Sequence, residues 1–142
     1  MVSLILWNLQ GFKTMALVGK SGSGKSFRAQ LIAEKYSIEL LIDDGLLIQG
    51  QKIVAGKSAK RENGETAAIK TAIFTDDAHA REVKTGIEHS NAHSILILAT
   101  SDRMAKRITQ RLNLPIPRQT IKIEDVATNE EIEAALSSRK TQ

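Results

Sequence analysis

At 142 residues the chain suits one domain with a real core, and its 42% hydrophobic and 25% charged residues are ordinary for a globular protein. The net charge of +4 suits phosphate-rich ligands and is too mild to argue for nucleic acid. The absence of cysteine excludes disulfides, thiolate zinc sites and cysteine nucleophiles and fits a cytoplasmic address, while no apolar run approaches the roughly 20 residues needed to cross a bilayer.

Residues 2–7 are apolar and predict a short strand. They lack a basic n-region and a small-residue cleavage site, so they are not read as a signal peptide. Trp7, the one tryptophan, is expected in the core rather than stacked on a base. Gly11 turns the chain into a second strand at 14–18. Gly19-Lys20-Ser21-Gly22-Ser23-Gly24-Lys25-Ser26 follows, a complete G-x-x-x-x-G-K-S loop, with Phe27 just beyond it. Glycines let backbone N–H groups converge on an anion, and the next helix adds the positive end of its dipole. In that setting Lys25 is expected on the β- and γ-phosphates of a nucleotide and the Ser26 hydroxyl on Mg²⁺.

The helix is expected over 25–35, and a buried parallel strand over 37–42 that ends in Asp43-Asp44. Strand ends of a βαβ unit face the ligand. These acids therefore suit Mg²⁺ binding, orientation of a substrate hydroxyl or acceptance of its proton, against a helix cap or solvated turn as the bland alternative. Residues 46–54 predict a hairpin turning at Gly50-Gln51. The polar, basic stretch 56–65 suits either a lid, with Lys57, Lys60 and Arg61 closing on phosphates, or a solvated loop.

Thr66 is placed to cap a short helix carrying Ile69, Ile73 and Phe74, and Thr75 or Asp76 to cap the next. His89 and His93 sit four apart, but Ser90-Asn91 breaks helix between them and no carboxylate or thiolate sits at ligand spacing, so these two and His79 are expected to be exposed or capping. Residues 94–99 form a second strongly apolar strand. Either Asp102 or Ser101 then caps the helix at 103–112, or Thr100, Ser101 and Asp102 touch nucleotide or Mg²⁺, and Arg103 is a candidate phosphate ligand on an otherwise solvated basic face. A strand at 120–123, a capping box at Thr128 opening a last helix, and a polar tail at 137–142 complete one domain over 1–142.

The loop at 19–26 identifies the chain as similar to the P-loop NTPase superfamily. The resemblance implies an α/β fold of three layers, a mainly parallel sheet flanked by helices, with the hairpin as a small insertion. The loop, helix, strand and paired acid also resemble small-metabolite kinases, such as shikimate and gluconate kinases, and HPr kinase/phosphorylase. That likeness implies Asp43 or Asp44 as the acid that meets metal or acceptor. Ile42-Asp43-Asp44-Gly45-Leu46-Leu47-Ile48 and Ala99-Thr100-Ser101-Asp102-Arg103-Met104 resemble segments of uncharacterised bacterial ATP-binding proteins. No Leu-Ser-Gly-Gly-Gln stretch occurs, which argues against an ABC ATPase. Ala99-Thr100-Ser101-Asp102 lacks the Asn and Lys of a guanine-reading motif, which favours ATP over GTP.

The expected ligands are therefore ATP, or another nucleoside triphosphate, and Mg²⁺. The expected activity is phosphotransfer or ATP hydrolysis, with Lys25, Asp43 and Asp44 in the chemistry and Ser26, Asp43 and Asp44 around the metal. The acceptor, metabolite or protein, is not written in the sequence. The alternative is a nucleotide-dependent regulatory or assembly switch with little turnover. No membrane partner is expected, nucleic acid is disfavoured, and a homo-oligomer is left open.

Overall fold

The structure is a computed structural model and describes residues 11–126. Residues 2–7 with Trp7, the helix opening at Thr128 and the polar tail lie outside the described residues. The elements run β1 (Lys13–Val18), α1 (Lys25–Tyr36), β2 (Leu40–Asp43), β3 (Leu46–Gln49), β4 (Lys52–Gly56), α2 (Glu65–Ala72), α3 (Asp77–His89), β5 (Ser94–Ala99), α4 (Asp102–Arg111), β6 (Gln119–Lys122) and a short α5 (Ile123–Val126). The six strands are ordered β4-β3-β2-β5-β1-β6. β2, β5, β1 and β6 are parallel, and β3 and β4 fold back antiparallel as the expected hairpin.

Helices cover both faces of the sheet, so its central strand can be apolar throughout. Every residue of β5 is buried. Ile95 and Ile97, with Ala16, Leu40 and Ile42, share a cluster with Val83 and Ile87 of α3 and Ile108 of α4. Leu96 and Leu98 point the other way, joining Met15, Leu17 and Leu41 beneath Ala29 and Ile32 of α1. Each fully buried aliphatic side chain contributes roughly 1.5–3 kcal/mol of transfer free energy. The result is the three-layer α/β sandwich that the resemblance implies.

Local chemistry shifts several boundaries. β2 begins at Leu40 because Ser37 adopts a left-handed conformation (φ 55°) to end α1, and Ile38 N–H turns back to Ala33 O at 2.8 Å. α2 opens on Gly64 with no side-chain cap, so Thr66 is not its cap, whereas Asp76 and Ser101 cap α3 and α4 as expected. The stretch 56–65 is not an open loop. Residues Ala59–Arg61 form a 3-10 turn, with Ser58 Oγ accepting from Lys60 N–H, buried Ala59 beneath, and Ala59 N–H donating to Asp44 O at 2.8 Å. His79 corrects the expectation of exposed histidines: it is buried and stacked 4.5 Å from the ring of Phe74. His89 and His93 are exposed.

Candidate functional site

The carboxyl ends of β1, β5 and β2 converge on one edge of the sheet, where a doubly wound fold places its ligand. At the end of β1 the chain enters the glycine-rich loop. Gly24 stands at the N-cap of α1 with φ 93°, a left-handed value that a side chain would strain. Ser23 is buried and ties the loop to itself, its Oγ donating to Lys20 O at 2.6 Å. Lys25 Nζ donates to Gly19 O at 2.7 Å and Lys20 O at 2.9 Å, which draws its charge into the turn of the loop.

Across the mouth of the loop stand the two acids, and the structure separates their surroundings. Asp43 is the last residue of β2, and its Oδ2 accepts from Ser26 Oγ at 2.7 Å. Asp44 and Gly45 form the tight turn into β3, both with positive φ, 51° and 89°. The Asp44 carboxylate lies 3.7 Å from Lys60 Nζ. Both groups of that pair are substantially exposed, so it holds by no more than about 1 kcal/mol and Lys60 is free to swing.

These groups enclose a cleft of about 230 Å³ whose lining includes Ser21, Gly24, Lys25, Ser26, Asp43 and Asp44. Its back wall is Leu98, Ala99 and Thr100 at the end of β5, with Met104 of α4. The fit to a triphosphate and Mg²⁺ rests on the donor set. The loop offers backbone N–H groups and an ammonium to the phosphates. Ser26 and Asp43 offer two hard oxygens at contact distance, which suits an ion that takes one or two protein ligands and completes its shell with water and phosphate. Among the described residues no group of three or more His, Asp or Glu makes a metal cage.

Of the three basic residues expected to close on phosphates, only Lys60 lines the cleft. The 3-10 turn leaves Lys57 and Arg61 exposed and outside the linings of the clefts described. Phe27 is 70% exposed, so its ring does not cover the loop. Thr100 lines the cleft, and its hydroxyl and N–H both point to Met104 Sδ at 3.3 and 3.4 Å. Asp102 lies on the other flank of the loop, in a cleft of about 480 Å³ beside Lys20, Lys122 and Glu124. Arg103 lines neither of these but a third, adjoining cleft with Arg107. Sequence reasoning missed Met104, an ordinary amphipathic-helix residue by pattern, and Arg107, which it left on a solvated face.

Comparison with known proteins adds a family. The profile described as "ABC transporter" matches residues 3–138. Two relatives, the ATP-dependent lipid A-core flippases of Haemophilus influenzae strains Rd and 86-028NP, are each 38% identical to this chain over 74 residues. The match covers 51% of this chain and 12% of each flippase, so the chain spans only a small part of the length of these relatives. No solved structure matches the chain.

Proposed function

Since this chain belongs to the ABC transporter family, we propose that it is an ATP-hydrolysing domain whose nucleotide cycle drives a membrane-embedded partner. Membership corrects the expectation drawn from the missing Leu-Ser-Gly-Gly-Gln stretch: the family is shared without that motif. Domains of this family bind ATP with Mg²⁺, and the residues at the loop fit both.

The single observation that carries the reading is the 2.7 Å contact between Ser26 Oγ and Asp43 Oδ2 at the lip of the loop. In this reading Ser26 and Asp43 would hold Mg²⁺, which would supply charge to offset that of the nucleotide phosphates. Lys25 releases the carbonyls of Gly19 and Lys20 and stabilises the transferring group. Asp44, on the same cleft but one residue beyond the metal pair, orients the attacking water. The partner and the membrane side of the work are inferred from the family and from relatives named as flippases. That inference replaces the expectation of no membrane partner, and it keeps the domain on the cytoplasmic side. Among the described residues no helix is long and apolar enough to cross a membrane.

A second reading, transfer of the phosphoryl group to an acceptor other than water, is favoured by the larger cleft that adjoins the first and shares Asp44 and Lys60 with it. Phosphate release from MgATP tests the main reading. The wild type is expected to turn over and Lys25→Ala to lose both turnover and nucleotide binding. Equal phosphate release by wild type and Lys25→Ala would refute it.

A further inference from the structure

Beside the phosphate cleft lies a second one of about 590 Å³, within the roughly 300–1,000 Å³ typical of small-molecule sites. The two share Ser21, Asp44, Lys60, Thr100 and Met104, so a molecule in one borders a molecule in the other. The walls differ in character. α2 contributes Glu65 at its first residue and then Ala68, Ile69 and Ala72, which with the following Ile73 form an apolar face at spacings of one and four. Ile69 is 55% exposed there, apolar surface that the described residues leave uncovered. α4 contributes Arg103 and Arg107, one helical turn apart and both exposed. Neither forms an ion pair among the described residues.

An apolar wall with two cations beside it, next to a phosphate loop, selects a ligand with matching halves. We propose that this cleft is a second ligand site for a small soluble amphipathic anion: an apolar body of several carbons against α2 and a phosphate or carboxylate head on Arg103 and Arg107. Guanidinium groups suit such heads because their planar N–H forks match two oxygens at once. The site binds alongside the nucleotide, not in place of it. It stands whether or not a phosphoryl group passes between the two clefts, since the inference concerns binding alone.

Hexyl phosphate, kept below its micelle concentration, is the probe. Calorimetric titration is run on the full chain saturated with MgADP, with inorganic phosphate and hexanol as separate arms. One-to-one binding of hexyl phosphate is expected with nucleotide in place, against much weaker binding of either half alone. The Arg103→Ala/Arg107→Ala double variant is expected to weaken it about tenfold or more, the loss of charge-assisted hydrogen bonds. Ile69→Ser, which keeps both cations, is expected to weaken hexyl phosphate and to leave inorganic phosphate unchanged. All three positions are exposed, and a thermal melt establishes that the variants fold. Abolition of binding by MgADP would overturn the proposal, because the probe would then be occupying the nucleotide's own site. Binding indifferent to both the arginine and the isoleucine variants would overturn it as well.

Discussion

Asp43→Asn separates the proposed metal role of this residue from its structural one. Asp43 accepts one hydrogen bond, from the exposed Ser26 hydroxyl. An asparagine amide oxygen can accept the same bond, so the variant's stability without ligand should change by less than about 1 kcal/mol. MgATP at a hundred times its Kd stabilises the wild type by about 2.7 kcal/mol. For a domain of this size each kcal/mol is worth about 4 °C, which makes the expected rise in Tm about 10 °C. Neutralising a carboxylate that contacts Mg²⁺ should cost on the order of 3 kcal/mol, roughly a hundredfold in Kd. At the same ligand concentration the variant would then gain only about 0.4 kcal/mol, or 1–2 °C. Thermal melts with ATP, in Mg²⁺ and in EDTA, read the difference directly. An Asp43→Asn protein that keeps the full Mg²⁺-dependent rise would remove Asp43 from the metal site.

Gly45→Ala should destabilise the fold by roughly 2 kcal/mol or more, since Gly45 has φ 89° and a Cβ there would collide with the Lys57 carbonyl; urea denaturation measures it. Ile97→Ala, in the fully buried centre of β5, should lower stability by about 2–5 kcal/mol in the same assay. Asp77 pairs with Arg111 at 2.7 Å, and that hydrogen bond, with the guanidinium charge, holds its carboxyl below the usual carboxylate range. A depressed acid stabilises the fold above its unfolded pKa and loses that contribution as pH falls through its folded value. The stability gap between wild type and Asp77→Asn should therefore be constant at neutral pH and close on acidification below about pH 4; a gap that persisted at pH 2 would assign the effect to something other than charge.

The phosphate loop and the β5 core were legible because each is dictated locally. A chain that wraps an anion with its backbone needs glycine at fixed spacing, and a strand covered on both faces needs an unbroken apolar run. Asp43 was legible through topology, since a parallel strand delivers its last residue to the ligand edge. The Asp44-Gly45 turn carried a signal that the paired-acid reading passed over. Asp44-Gly45 between the paired Asp43 and Leu46 is the two-residue hairpin sequence, and it places Asp44 in a turn rather than beside Asp43 in a strand. The remainder depended on distant contacts. Lys60 meets the cleft, and Lys57 and Arg61 do not, because Ala59 is buried and its N–H is bonded to Asp44 O. Arg107 lines a cleft only because α2 lies across from α4, which no local pattern on either helix reveals.

A further distant contact is made by His79. Its Nε2 lies 2.8 Å from Gly45 O and 3.3 Å from Lys57 N, and one ring nitrogen cannot donate to the first while accepting from the second. The shorter contact wins: protonated at Nε2, the ring donates to Gly45 O. The opposite tautomer would instead bury an Nδ1–H, and Nδ1 has no partner among the described residues. His79 thus holds the turn that follows Asp43 against α3, while Gly45 and Gly56 approach so closely that a Cβ on Gly56 would strike the Gly45 carbonyl and one on Gly45 would strike the carbonyl of Lys57. With the turn fixed in this way, Asp43 faces Ser26 and Asp44 faces Lys60. The different neighbours of the two acids thus lie on either side of a turn whose Gly45 carbonyl is held by a buried histidine 34 residues downstream.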